Sequence, residues 1–462
     1  MTSILDGFDS VQQGLAAETY ALSIAQKNIT NANDPDYTCE NVVFTGDDTD
    51  PTNSGVAGVS LQAARNQFLD YSISQETQSS SMSSVESDAL QQIDAIFNGS
   101  GQSLQQSLSN FFNSFTSLSS SPEDLTLRQQ VLSSANALCN QFQTTYSSIQ
   151  QVQTSENNAL TSAVDQVNSL TSQIAALNQQ IVAAQGAQSQ NLCTLQDSRQ
   201  QLVEQLSGLM GLSYYQTNSG AITVTTQQGG VLVIGNQSNS LQLSSSDGSS
   251  QSVLLNGADI TNSINSGTIG GLIDVCDNKC AGYLSALDDL AATITFTVNQ
   301  QHEQGSDLNG QDGGDLFTPF TPTDPDSNAG AALAMSVAIT DPTQIAAAGP
   351  GGGAGDNTNA QLLAGISNQE LFSNSTETAN QFYANLVYTI GEDEQTATNN
   401  LSTQQSILQQ LNNQRASFSG VSLDDEAVNI IQYQSAYQAC ARYASVLNTL
   451  CGEVLNILGS ST

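Results

Sequence analysis

Residues 421–458 read VSLDDEAVNIIQYQSAYQACARYASVLNTLCGEVLNIL, with no proline and a single glycine, Gly452. Apolar or small residues return at three- and four-residue steps through Ala427, Ile430, Tyr437, Ala441, Ala444, Leu447, Cys451, Val454 and Leu458. That spacing lays one seam along a helix, close to the 3.5-residue repeat of a coiled coil. Ser422 stands where a cap belongs, and Asp424, Asp425 and Glu426 put negative charge in the first turn, which suits the helix dipole. A seam of this length needs a partner helix.

The start of the chain offers one. Ile4, Phe8, Val11, Leu15, Leu22, Ala25 and Ile29 mark a helical face over about residues 3–32, and Pro35 disfavours helical geometry at Asp34. The two ends therefore pair most simply with each other, or with copies of themselves in an assembly. Ile4, Phe8, Val11, Leu15, Leu22 and Ile29, with Leu423, Ile430, Tyr437, Leu447, Val454 and Leu458, form the expected assembly seam.

Composition narrows the function. Only 11% of the 462 residues are charged, against roughly 25% in ordinary soluble domains. Those charges are 43 acidic and 7 basic, a net of −36. Such a chain repels phosphate and anionic membrane surfaces, so nucleic acid is not an expected partner. No apolar run approaches the ~18 residues of a membrane span, and the N-terminus lacks the basic start and apolar stretch of a secretory signal. Seven scattered cysteines argue against a disulfide framework.

Between the ends, residues 34–60 read as turns and short extended pieces. Helical spacing returns over 61–119, and SPED at 121–124 looks like a helix start with Ser121 as cap. One long helix is expected over 122–184 and another from Leu192 to Leu209. At 212 the period changes: AITVTT and VLVIG flank a glycine pair and signal a hairpin, opening a β-rich module that runs to about 271. Helical spacing resumes over 272–301, a loop-rich tract follows at 303–357, and a last scaffold helix runs within 372–418. The tract reads as an irregular, partly mobile insertion.

No catalytic, cofactor or metal site emerges. His302 is the sole histidine, and neither Cys nor carboxylate accompanies it at ligand spacing. A hydrolase with His302 as base is the rival from another class, but there is no GxSxG elbow and no base–orienter pair. Cys276 and Cys280 lack two further ligands, and buried cysteine behaves as a small apolar residue. GPGGGAG at 349–355 lacks the Lys-Ser/Thr of a phosphate loop. Asp288–Asp289 and Asp424–Asp425 are adjacent rather than facing, as on solvated faces or helix starts.

Three stretches together resemble the flagellar hook-associated protein 1 family, within the axial class of rod, hook and junction proteins. KNITNANDPDYTCE at 27–40 is similar to the axial pattern N-N-I-A-N-x-x-T-P-G-Y-[ST]-R, with Asn28, Ile29, Asn31, Pro35, Tyr37 and Thr38 in agreement. Asp36 replaces the usual Gly, which implies a strained or differently shaped corner. GGLIDVCDNKCAGYLSALDDLAATITFTVNQQHEQGSDLNGQDGGDLF from Gly270 is similar to the more discriminating run G-L-L-x-x-R-D…Y…L-D-x-L-A…V-N-x-x-H…G-x-D-L-x-G…G-x-x-F. GVSLDDEAVNIIQYQSAYQACARY resembles G-V-N-L-D-E-E…Y-Q-x-A-Y-x-A-x-A. Cys39 and Cys276 stand where the family commonly has Arg.

The resemblance implies a mainly α, elongated multi-domain protein. Residues 1–45 with 420–462 would form a terminal coiled-coil domain lying inside the axial tube. Residues 46–211 with 272–419 would form a helical middle domain carrying the 303–357 insertion, and 212–271 a β-rich outer module. It further implies a structural, extracellular junction between hook and filament, exported through the flagellar type III route without a cleaved signal. The implied partners are copies of itself in a ring-like layer, the hook protein, the second hook–filament junction protein and an export chaperone at the C-terminal region. A hook protein, the second junction protein and a non-flagellar secreted coiled-coil protein are the remaining alternatives.

Overall fold

The computed structural model describes residues 2–46, 56–98, 103–186, 191–245, 251–321 and 327–459, with backbone only at 2–5, 56–57, 245 and 457–459. Internal packing divides the chain into two units: Met1–Ser79, Gln166–Leu241 and Gln404–Thr462, and Ser80–Asp165 with Gln242–Thr403. The expected β-rich tract 212–271 contributes strands to each.

The elements, in order, are α1 (Thr2–Thr30), β1 (Glu40–Gly46), β2 (Val56–Ala63), α2 (Gln67–Asn98), α3 (Leu104–Ser120), α4 (Leu125–Gly186) and α5 (Leu192–Leu209). Strands follow as β3 (Leu212–Gln216), β4 (Ile222–Thr226), β5 (Val231–Ile234), β6 (Gln237–Ser238), β7 (Leu241–Ser245), β8 (Gln251–Leu255) and β9 (Ala258–Asp259). Then come α6 (Gly267–Ile273), α7 (Ala281–His302), α8 (Ala331–Ala334), α9 (Thr358–Gly365), α10 (Ala379–Ser419) and α11 (Leu423–Gly459).

In the first unit β1 and β2 pair antiparallel from Glu40↔Ala63 outward. The short extended pieces expected within 34–60 are thus paired strands, and β2 runs on to Ala63. The four-stranded sheet β3-β4-β5-β6 is fastened to α4 by one buried amide. Asn178 donates to the Ile222 and Gly235 carbonyls, both at 2.8 Å, and accepts from the Ile222 N–H. Asn168 does the same for both backbone groups of Leu241. These asparagines interrupt the apolar stripe of Val167, Leu170, Ile174 and Ile181 because a strand's edge needs polar partners where it meets a helix.

The second unit packs around an aromatic centre. Phe111 meets Phe112, Phe115 and Phe317 with ring centroids 5.1–5.4 Å apart. Asp124 rather than Ser121 caps α4: its carboxylate accepts from the Thr126 N–H at 2.7 Å, and the helix begins at Leu125. Between α6 and α7 the chain widens into a π-helix, Asp274–Cys280. Gln153 donates to the Cys276 carbonyl at 2.9 Å, and the Cys276 thiol donates to the Gln153 carbonyl at 3.7 Å. The thiol thus makes a hydrogen bond where the family's Arg would stand.

The described residues of the loop-rich tract, 303–321 and 327–357, are tightly held, and the rest of the expected partly mobile insertion lies outside the described residues. Leu316, Phe317, Ala331, Ala332 and Ile345–Ala348 are buried in the core. Asn299 accepts from the Leu316 and Phe317 N–H groups and donates to the Phe317 carbonyl. Asp307 gathers the N–H groups of Asn309 and Gln311, both at 2.8 Å. A side chain at Gly305 or Gly313 would overlap Asn359 or the His302 carbonyl. Asp288, expected on a solvated face, is 2% exposed. It caps α8 by accepting from Gly330 and Ala332, both at 2.9 Å.

His302 is fully buried and bound through both ring nitrogens. Nδ1 donates to the Gly314 carbonyl at 2.6 Å, which leaves Nε2 to accept from the Ala346 N–H at 2.9 Å. Burial holds its pKa below the ordinary value, against the weaker opposing effects of Gly314 and Asp315. The unfolded chain therefore takes up a proton that the folded chain refuses. This residue's contribution is fully present above about pH 6.5 and lost as pH falls toward the depressed folded value, at up to about 1.4 kcal/mol per pH unit. His302→Gln should be less stable than wild type at pH 7.5, and the gap should narrow as pH drops to 5. Parallel urea titrations of the two chains measure that gap, and a pH-independent difference would contradict it.

Candidate assembly surface

The terminal helices pair antiparallel, and their register is set by small residues. A methyl group added at Gly7 would sit 3.2 Å from Leu447 Cδ1, and one at Gly14 would sit 3.3 Å from Cys440 Sγ. One more contact in the same register joins Asn28 Nδ2 to Glu426 Oε1 at 2.8 Å. Each seven-residue advance along α1 matches seven residues back along α11, the heptad of an antiparallel coiled coil. Ala21, at the remaining heptad position, is completely buried. Glycine and alanine on α1 let the backbones approach closely, and the Cys440 thiol occupies the space over Gly14.

The far end of the pair is locked by polar groups. Asn28 donates also to the Glu40 carbonyl at 3.0 Å, and accepts from the Tyr37 hydroxyl at 2.6 Å and the Glu40 N–H at 3.1 Å. Cys39 donates its thiol to Glu426 at 3.7 Å. Burial, with Glu426 next, raises the Cys39 pKa to about 11, so the thiol stays protonated as a donor. Lys27 pairs with the buried Glu40 carboxylate at 2.6 Å. Phe44 on β1 meets Tyr433 of α11 edge-on, with centroids 6.3 Å apart. Asp36 is not among the described residues with positive φ, so the missing glycine imposes no left-handed strain at this corner.

The expected seam residues divide into three groups. Val11 and Leu447 are buried between the helices, while Phe8, Leu15, Leu22, Ile430 and Val454 are half-buried on the flanks of the contact. Ile29, Leu423 and Tyr437 are exposed. The side chains of Ile4 and Leu458 lie outside the described residues. The centre of the contact runs instead through Gly7, Gly14, Ala21 and Asn28 against Glu426, Tyr433, Cys440 and Leu447. The heptad of small residues in α1 was the signal for it, and a reading weighted to large side chains passes over it.

A second apolar stripe on α11 faces solvent. Val428, Ile431, Ala439, Tyr443, Val446 and Leu450 follow one another at helical spacing, all exposed. Contiguous exposed apolar surface of this kind marks an interaction face. Among the described residues there is no group of three His, Cys, Asp or Glu that could hold a metal. Nor is any described helix long and apolar enough to cross a membrane.

The family described as the flagellar hook-associated protein FlgK helical domain matches residues 90–317. The chain is 28% identical to flagellar hook-associated protein 1 of Bacillus subtilis, over 99% of each chain. It is 26% identical to that of Escherichia coli, over 99% of this chain and 100% of the relative. Along nearly its whole length the chain is thus similar to FlgK proteins. The solved structure of the flagellar hook junction protein FlgK from Burkholderia pseudomallei shares the fold, with a TM-score of 0.67 at 19% identity over 75% of this chain and 100% of that one. The FlgK-family residues quoted from 298 to 317 are those that clamp the loop tract, and the axial-class Asn28 is the lock of the terminal pair.

Proposed function

We propose that this chain is a structural junction protein of the bacterial flagellum, linking hook to filament by axial packing of its terminal helices. The observation that carries the reading is the double-faced α11. One face is spent on α1, while the exposed stripe from Val428 to Leu450 offers helical apolar surface to neighbours in an extracellular polymer. In this reading copies pack as a ring-like layer, with hook protein on one side and the second hook–filament junction protein on the other. Export proceeds without signal cleavage, and a chaperone covers the C-terminal region beforehand. The work is done by interfaces and no reaction is catalysed; His302, committed to two backbone groups, serves the fold.

Deleting the gene should give hooks without filaments, with filament subunits lost to the medium. Complementation with Ile431→Glu plus Val446→Glu should fail equally, although the purified variant unfolds at the wild-type urea concentration because both positions are exposed. Filaments of normal length from that variant would refute the role given to the stripe.

A further inference from the structure

Seven basic residues serve a chain of net charge −36, and most are spoken for. Lys27, Arg65, Lys279 and Arg415 each pair with a carboxylate. Arg199 differs. It is 5% exposed, and among the described residues its hydrogen bonds are two, both from Nη1: to Asn178 Oδ1 at 3.1 Å and to the Gly220 carbonyl at 2.7 Å. Both acceptors are neutral, and no described carboxylate forms an ion pair with it. Burial pulls its pKa down to about 10, with the Arg65 charge adding to that fall. A buried guanidinium without a counter-charge is costly, and a carboxylate is its best-matched partner.

Arg199 lines a groove of about 750 Å³ within the first unit. Leu61, Gln196 and Gln200 form parts of its wall, and Asp70, also on the wall, lies 3.8 Å from Arg65. The rim is aromatic. Phe68 and Tyr215 are 79% and 61% exposed, and Tyr71 and Tyr214 lie with ring centroids 6.2 Å apart. Exposed rings around a partly satisfied cation suit a carboxylate carried beside apolar surface.

We propose that this groove receives an Asp or Glu side chain from a flanking copy of the same chain, a reading that rests on the self-assembly proposed above. Charge selects the occupant: with 43 acidic residues against 7 basic ones, neighbouring copies present carboxylates in excess. One such carboxylate would give the buried Arg199 guanidinium the counter-charge it lacks.

Phenylacetate, a carboxylate beside one ring, probes the groove in the full-length chain. Its binding, followed by saturation-transfer NMR, should exceed that of neutral phenylacetamide by about tenfold, as befits a charge-assisted contact. Phe68→Ser with Tyr215→Ser should weaken both probes, and Arg199→Gln should abolish the preference. Equal binding of the two probes, or none, would overturn the assignment. The exposed double variant keeps the test valid if Arg199→Gln does not fold. A photo-crosslinking residue at position 68 in assembled flagella should join an acidic segment of another copy, which isotope-mixed chains distinguish from the same copy. Crosslinks confined to one copy, or to a different protein, would overturn the carrier. If the chain is missing from flagella altogether, the carrier and the junction reading fall together, whereas the phenylacetate preference reports on the groove alone.

Discussion

Asn28→Leu should open the terminal helix pair at its hairpin end and abolish filament growth while the second unit stays folded. The side chain is 1% exposed and makes four hydrogen bonds: to Glu426 Oε1, to both backbone groups of Glu40 and to the Tyr37 hydroxyl. Leucine fills the volume but answers none of them. The Glu426 carboxylate, on a residue 4% exposed, would be left with the long Cys39 thiol contact, and the Glu40 backbone groups would lose the Asn28 amide, where water enters only by separating the elements. At about 1–3 kcal/mol for each stranded buried group, the loss totals on the order of 4 kcal/mol, a large share of the ~5–15 kcal/mol that holds a domain together. Asn28→Asp should hurt as well, for a different reason. It keeps the oxygen that accepts from Tyr37 and Glu40 but sets a second carboxylate against Glu426. The leucine defect should ignore salt, whereas the aspartate defect should ease as salt screens the repulsion. Hydrogen exchange of residues 20–40 and 423–440 measures both. Protection equal to wild type in the leucine variant would disprove the lock.

Why the sequence reveals so much of this fold, and less of its contact surface, follows from what each rests on. Long apolar periodicity marks α4 because it buries a continuous stripe, whereas α11 carries the same period although Leu447 alone of its described apolar side chains is buried. The strand pair β1–β2 is harder to see. Most of β1 is exposed, so that strand lacks the alternation that half-burial imposes, and it is held by pairing with β2 and by Phe44 on Tyr433. Asp288 misleads in the opposite way. A carboxylate on a helix face reads as solvated, and its true role depends on the α8 N–H groups some forty residues on. Leu15 and Leu22 carry the helical period of α1 by their bulk, yet they are only half-buried. Close antiparallel packing favours absence of bulk, and Gly7, Gly14 and Ala21 carry it.

Arg128→Met should be the most destabilising single change in the second unit, and its damage should spread from a segment far away in sequence. Arg128 is 1% exposed and the largest of the fully buried side chains. Nε donates to the Pro122 carbonyl at 2.6 Å, while Nη1 donates to the carbonyls of Ile345 at 2.6 Å and Pro342 at 3.4 Å. It thus joins the turn before α4 to the buried run Ile345–Ala348. The same run is held by His302 at the Ala346 N–H, by Asn359 Nδ2 at the Ala346 carbonyl and by the Ala360 N–H at the Ala347 carbonyl. Methionine matches much of the volume but leaves three carbonyls without this donor, which costs about 3–5 kcal/mol. Arg128→Lys should recover only part, since one ammonium cannot span the fork that reaches Pro122 and Ile345 together. Exchange protection at residues 305–317 and 345–348 should fall first and by the largest factor, because these loops have no regular ladder of their own. Protection in α1 and α11 should remain at the wild-type level. Uniform loss across the chain would show that Arg128 supports the whole fold rather than this clamp, and unchanged protection at 345–348 would show that it supports neither.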